Sequence, residues 1–139
     1  MTTKTKPATH LEKRIQRFYR LLNQKEFEQC YRMIDPVVRD NPASVTLLQY
    51  VTALKNFLVV VGKIRIQQID MELHLDEPSK LYDDRDFAVG QSVWLDQAGV
   101  ENVFQERWVK QGKSWFTRST GFVVPESRKR LNLKLANLK

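Results

Sequence analysis

One cysteine in the whole chain, Cys30, excludes an intrachain disulfide and makes a reducing compartment, the cytoplasm, the expected setting. It falls in an apolar helical stripe, where a buried structural thiol is expected in place of a nucleophile, which needs a positioned base. Histidine is nearly absent as well. His10 and His74 stand far apart in the sequence and cannot supply the converging ligands of a zinc site, so no metal is expected, and nothing points to a cofactor. The five glycines are scattered, which leaves no phosphate-cradling loop and no nucleophile elbow. The longest apolar run, Phe57–Val61, is far too short to cross a bilayer, so no membrane insertion is expected. Met1–His10 leads into charged helix and does not read as a secretory signal.

What is present suits one ordinary folded domain. A chain of 139 residues, 42% hydrophobic and 28% charged, can bury a core without disulfides or metals. The net charge of +7 sits at the ends. Residues 1–20 carry +5 and residues 126–139 carry +4, while the stretch between them carries −2. A nucleic-acid-binding surface concentrates its basic residues on the folded body with aromatics between them, so nucleic acid is not the expected partner. The expected organisation is a flexible N-terminus at residues 1–8, a single domain at 9–125 and a basic tail at 126–139.

Helices come first in the pattern, then strands. Thr9 with Glu12 resembles a capping box, and Leu11, Ile15, Phe18 and Leu22 repeat at helical spacing up to about Asn23. Phe27, Cys30, Tyr31 and Ile34 give a second, short stripe that Asp35-Pro36 stops. A third helix is expected from Ala43 or Ser44, with Val45, Leu48, Val51, Leu54 and Leu58 on its buried face and Gly62 closing it.

From Lys63 the period becomes two. Ile64 and Ile66 are out of phase with Ile69, Met71, Leu73 and Leu75, which predicts a bulge near Gln67-Gln68. Asp70, Glu72 and His74 then share the opposite, solvent-facing side. Further strands are expected from Phe87 to Leu95, Val100 to Lys110 and Ser114 to Val124, joined by Asp96–Gly99 and Gln111–Lys113 as an antiparallel meander. The leucines of the tail fit a short amphipathic helix and a strand equally.

The segment Phe18-Tyr19-Arg20-Leu21-Leu22-Asn23-Gln24-Lys25-Glu26-Phe27 resembles the opening helix, turn and second-helix start of the nuclear transport factor 2-like superfamily. Glu106-Arg107-Trp108-Val109-Lys110-Gln111-Gly112-Lys113-Ser114-Trp115 is similar to that family's terminal hairpin. The pattern covers roughly residues 10–124. It implies a cystatin-like α+β fold, with three N-terminal helices packed on a strongly curved antiparallel sheet around a conical cavity. It also implies a homodimer formed through the sheet. The resemblance to ketosteroid isomerase-like relatives stops at their catalytic positions, since Phe18 stands where a tyrosine and Asn41 where an aspartate base would be expected. Tyr19 and Asp40 are adjacent, but one residue along a helix turns a side chain by roughly 100°.

The preferred expectation is therefore a noncatalytic module, binding a small apolar ligand or assembling as a homodimer. Its pocket candidates are Tyr19, Tyr50, Trp94, Phe104, Trp108, Arg107 and Arg118. The alternative is an isomerase, dehydratase or cyclase acting on an apolar substrate inside the cone, with Glu106, Asp70 or Tyr50 as proton carriers. Glu106, Arg107 and Arg118 matter most, because a charge turned into an apolar interior is costly unless it is paired or functional.

Overall fold

A computed structural model of the chain describes residues 5–121, with side chains from residue 10 onward. Four helices precede a four-stranded antiparallel sheet in the order β1-β2-β3-β4. Helix α1 spans Thr5–Asn23 and buries Leu11, Ile15, Phe18, Tyr19, Leu21 and Leu22. It begins upstream of Thr9, so that residue is not its cap. Helix α2, Phe27–Arg32, buries Phe27 and Cys30.

The helix count differs from the expected three. The Asp35-Pro36 pair that ends the second helical stripe also starts a one-turn helix, α3, Pro36–Arg39. Asp35 caps it through the Val37 amide, and proline suits the first helical position because its missing N–H has no intrahelical partner there.

Helix α4, Leu47–Val61, starts later than Ala43 or Ser44. Thr46 and Gln49 form a reciprocal capping box, at 3.1 and 2.9 Å, that fixes the start. Its buried stripe is Tyr50, Leu54, Phe57 and Val61; of the expected set Leu54 is buried, Val45, Val51 and Leu58 are half-buried against the core, and Leu48 is 77% exposed. The helix is apolar almost all round, so periodicity alone does not choose a face. The two aromatics, with the most surface to hide, decide it.

Strand β1 spans Arg65–His74, β2 Phe87–Leu95, β3 Glu101–Gln111 and β4 Ser114–Thr117. The register of β1 on β2 shifts between Ile66 and Gln68, which is the expected bulge. It brings Ile66, Ile69, Met71 and Leu73 onto the face that the helices cover and turns Asp70, Glu72 and His74 outward. Gly90 is required by close approach, because a Cβ there would strike the Asp70 carbonyl on the neighbouring strand. Residues 118–121 leave the strand, while the expected continuation to Val124 and the tail from residue 126 lie outside the described residues.

The core lies between the helices and the inner face of the sheet. Phe57 meets Trp94 edge-on at 5.9 Å between ring centres, and Phe18 meets Trp108 at 6.4 Å. A parallel bridge between Ile34 and Thr117 ties the segment after α2 to β4. No helix among the described residues is long and apolar enough to cross a membrane.

Candidate functional site

Two buried carboxyl groups organise the polar chemistry of the domain. The first, Glu106, projects from β3 into the core and is 2% exposed. Its Oε2 accepts from the Tyr19 hydroxyl at 2.6 Å and from the Ser92 hydroxyl at 2.7 Å, and its Oε1 accepts from the Trp108 indole at 2.7 Å. Tyr19 and Ser92 are themselves 3.1 Å apart. No cation among the described residues neutralises this group. Burial raises its pKa above the ordinary carboxyl value, against the pull of the three donors. The same burial, together with the carboxyl beside it, holds the Tyr19 hydroxyl well above its usual range.

The second group is Asp35, whose side chain is fully enclosed. Arg85 grips it with two nitrogens, at 3.0 and 2.7 Å, and Arg118 adds a bond at 2.7 Å. Asp83 accepts from both guanidiniums on their outer side. Burial opposes the charge on Asp35, but the Arg85 bonds, the Val37 amide and Arg118 together hold its pKa below the usual carboxylate range. The guanidinium of Arg118 also donates to the Leu81 carbonyl and lies over the Tyr82 ring at 5.5 Å. The network thus fastens the β1–β2 connection to the sheet.

Beside Arg118 lies an open groove of about 640 Å³, lined by Val38, Ala53, Leu81, Tyr82, Phe104, Gln105, Arg107, Arg118 and residues 119–121. Among the described residues its lining is partly apolar, its cations are two guanidiniums, and none of its side chains is a carboxylate, histidine or cysteine. Arg118 is committed to Asp35, Asp83 and Leu81. Arg107 is exposed and makes no ion pair among the described residues.

The anticipated site residues divide into three groups. Phe104, Arg107 and Arg118 meet in this groove. Tyr19, Tyr50, Trp94 and Trp108 are core residues, and burial raises the Tyr50 hydroxyl above its usual range. The Trp94 indole N–H is enclosed with no acceptor among the described residues. Asp70 is on the outer face opposite Gln91, so it does not join Glu106 or Tyr50. Glu72 and His74 pair with each other at 2.7 Å on that same face. Cys30 is buried and its thiol is pushed up to about 12, which fits a structural role. No group of His, Cys, Asp and Glu among the described residues could hold a metal.

Sequence reasoning missed Asp35, Ser92 and Arg85. Asp35 carried a signal, as an Asp before Pro at a helix start, but only for its capping role. Its arginine partners lie 50 and 83 positions away in the chain. Ser92 carried none. The vacancy at Phe18 also proved less informative than the residue after it, since both Phe18 and Tyr19 are buried and Tyr19 reaches the acid.

No protein-family model matches the chain, and no curated protein shows significant similarity to it.

Proposed function

We propose that the chain is a noncatalytic binding module of the nuclear transport factor 2-like kind, which takes a small, mostly apolar ligand in the groove beside Arg118. The observation that carries this reading is the separation of acids from the groove. Glu106 has both oxygens occupied by protein donors inside the core, while the groove offers, among the described residues, apolar surface and guanidiniums but no general acid or base matched to neutral pH. Phe104, Leu81 and Val38 supply the apolar contact, and Arg107 supplies a donor for a carbonyl on the ligand. Isomerase, dehydratase or cyclase chemistry would need Glu106 to give up a partner and face a substrate. A thermal-shift screen with small apolar, carbonyl-bearing compounds tests the reading, because a ligand of the native state raises the melting point. A rise in the wild type that Phe104→Ala abolishes supports it. No rise with any compound, or turnover that Glu106→Gln abolishes, argues against it.

A second reading, homodimerisation through the outer face of the sheet, rests on a different observation. Val103 is 49% exposed there, beside half-buried Val93. Glu72, Val89 and Arg107 lie in one row across β1, β2 and β3. A twofold axis along β2 would set Glu72 of one copy over Arg107 of the other, twice. Sedimentation of the wild type as a dimer, and of Val103→Glu as a monomer, is the expected result; a monomeric wild type refutes this reading.

A further inference from the structure

At the end of the domain that carries the β2–β3 turn lies a second groove, of about 530 Å³, built from Asn23, Lys25, Phe27, Lys55, Leu58, Val59, Gly62, Lys63 and Gln97. Its walls are fixed by two side-chain clamps. Asn23, the last residue of α1, donates to the Ile64 carbonyl at 2.7 Å and accepts from the Ile64 amide at 2.9 Å. Gln97 accepts from the Lys63 amide at 3.1 Å through its side chain, while its own amide donates to the Val61 carbonyl at 2.9 Å. The Gln97 side chain packs so closely on Gly62, at φ 68°, that any Cβ there would collide with it. The ends of α1 and α4 are therefore held in place before anything binds.

The chemistry of the lining is uneven. Phe27, Leu58 and Val59 give an apolar surface, and Val59 is 84% exposed. Three lysines also line it, Lys25, Lys55 and Lys63, all exposed and none in an ion pair among the described residues. Lys25 and Lys63 follow helix C-termini, where a cation complements the dipole, but Lys55 lies within α4 and has no such role. Lys55, Leu58, Val59 and Gly62 share one helical face only two turns long. That is short for a docked helix and about the length of a medium acyl chain.

We propose that this groove is a binding site for a single-chain fatty carboxylate, with the chain on Leu58 and Val59 and the head group among the three lysines. The site is separate from the groove beside Arg118, so either can fail without the other. The test is calorimetric titration of the full chain with decanoate below its micellar range, in the wild type, in K25Q/K55Q/K63Q and in Phe104→Ala. The substituted lysines are exposed, so the triple variant is expected to fold, which circular dichroism checks. Expected are saturable one-to-one binding, roughly tenfold weaker affinity in the triple variant, a matching loss in high salt, and no change in Phe104→Ala. Uncharged decanol should bind the wild type more weakly than decanoate and should not distinguish it from the triple variant. Equal decanoate affinity in the wild type and the folded triple variant overturns the proposal, as does the absence of binding. Loss only in Phe104→Ala assigns the ligand to the other groove and overturns it equally.

Discussion

Asp35 and Glu106 are both carboxyl groups sealed from water in one small domain, yet they are kept there by opposite means. Asp35 is surrounded by two guanidiniums and a backbone amide, and these hold it in its charged form. Glu106 meets two hydroxyls and an indole, which bond it without neutralising it, so burial raises its affinity for a proton. The contrast separates a buried charge that is compensated from a buried acid that is merely hydrogen-bonded. It also bears on function, since the compensated site borders the proposed ligand groove through Arg118, whereas the acid is enclosed in the core.

The comparison breaks most visibly at Asp35. Asp35→Asn keeps the shape and removes the charge, leaving Arg85 and Arg118, largely buried at 16% and 17% exposure, with only the more exposed Asp83 as a shared carboxylate. Such a loss costs about 3–5 kcal/mol, read as a fall in the denaturant midpoint. Because Arg118 also anchors the Leu81 carbonyl at the groove, ligand affinity should fall with it.

Glu106→Ala is expected to cost about 2–5 kcal/mol, from a cavity plus the loss of three hydrogen bonds to the carboxyl, with β3 as the element most disturbed. Ser92→Ala removes one donor to the carboxyl and should cost about 1 kcal/mol. Glu106→Gln should have the smallest effect, about 1 kcal/mol or less, because an amide keeps the shape of the carboxyl and can still accept from Trp108. Thermal and denaturant unfolding of the four variants, side by side, measures the ordering, and a Glu106→Gln loss as large as that of Asp35→Asn would erase the distinction.

Much of the fold was legible and rather less of the polar chemistry. The change of period at Lys63, the bulge at Gln67 and the outward face of Asp70, Glu72 and His74 followed from alternation alone, because one face of a sheet must be buried. Helix α4 was harder, since Leu47, Leu48, Val51, Leu58 and Val59 offered several equivalent stripes and tertiary contact of Tyr50 and Phe57 selected one. In the site, the cost of turning a charge into an apolar interior identified Glu106, Arg107 and Arg118 as the charges to watch. Their partners could not be read, since Glu106 meets Tyr19 across 87 positions and Arg118 meets Asp35 across 83. Only the fold brings such pairs together.

Stability as a function of pH tests the distinction between the two carboxyls most directly, using Asp35→Asn and Glu106→Gln against the wild type. Asp35 has a folded pKa below its ordinary value of 3.8, so its contribution is present above that pH and is lost as the pH falls through the lower folded value. Glu106 has a folded pKa above its ordinary value of 4.5, so its contribution is full below 4.5 and is lost as the pH rises through the higher folded value. The stability gap between wild type and Asp35→Asn should therefore shrink toward low pH, and the gap between wild type and Glu106→Gln should shrink toward neutral pH. A Glu106 gap that widens as the pH rises would mean an ionised, stabilised carboxylate in the core, and would contradict the account.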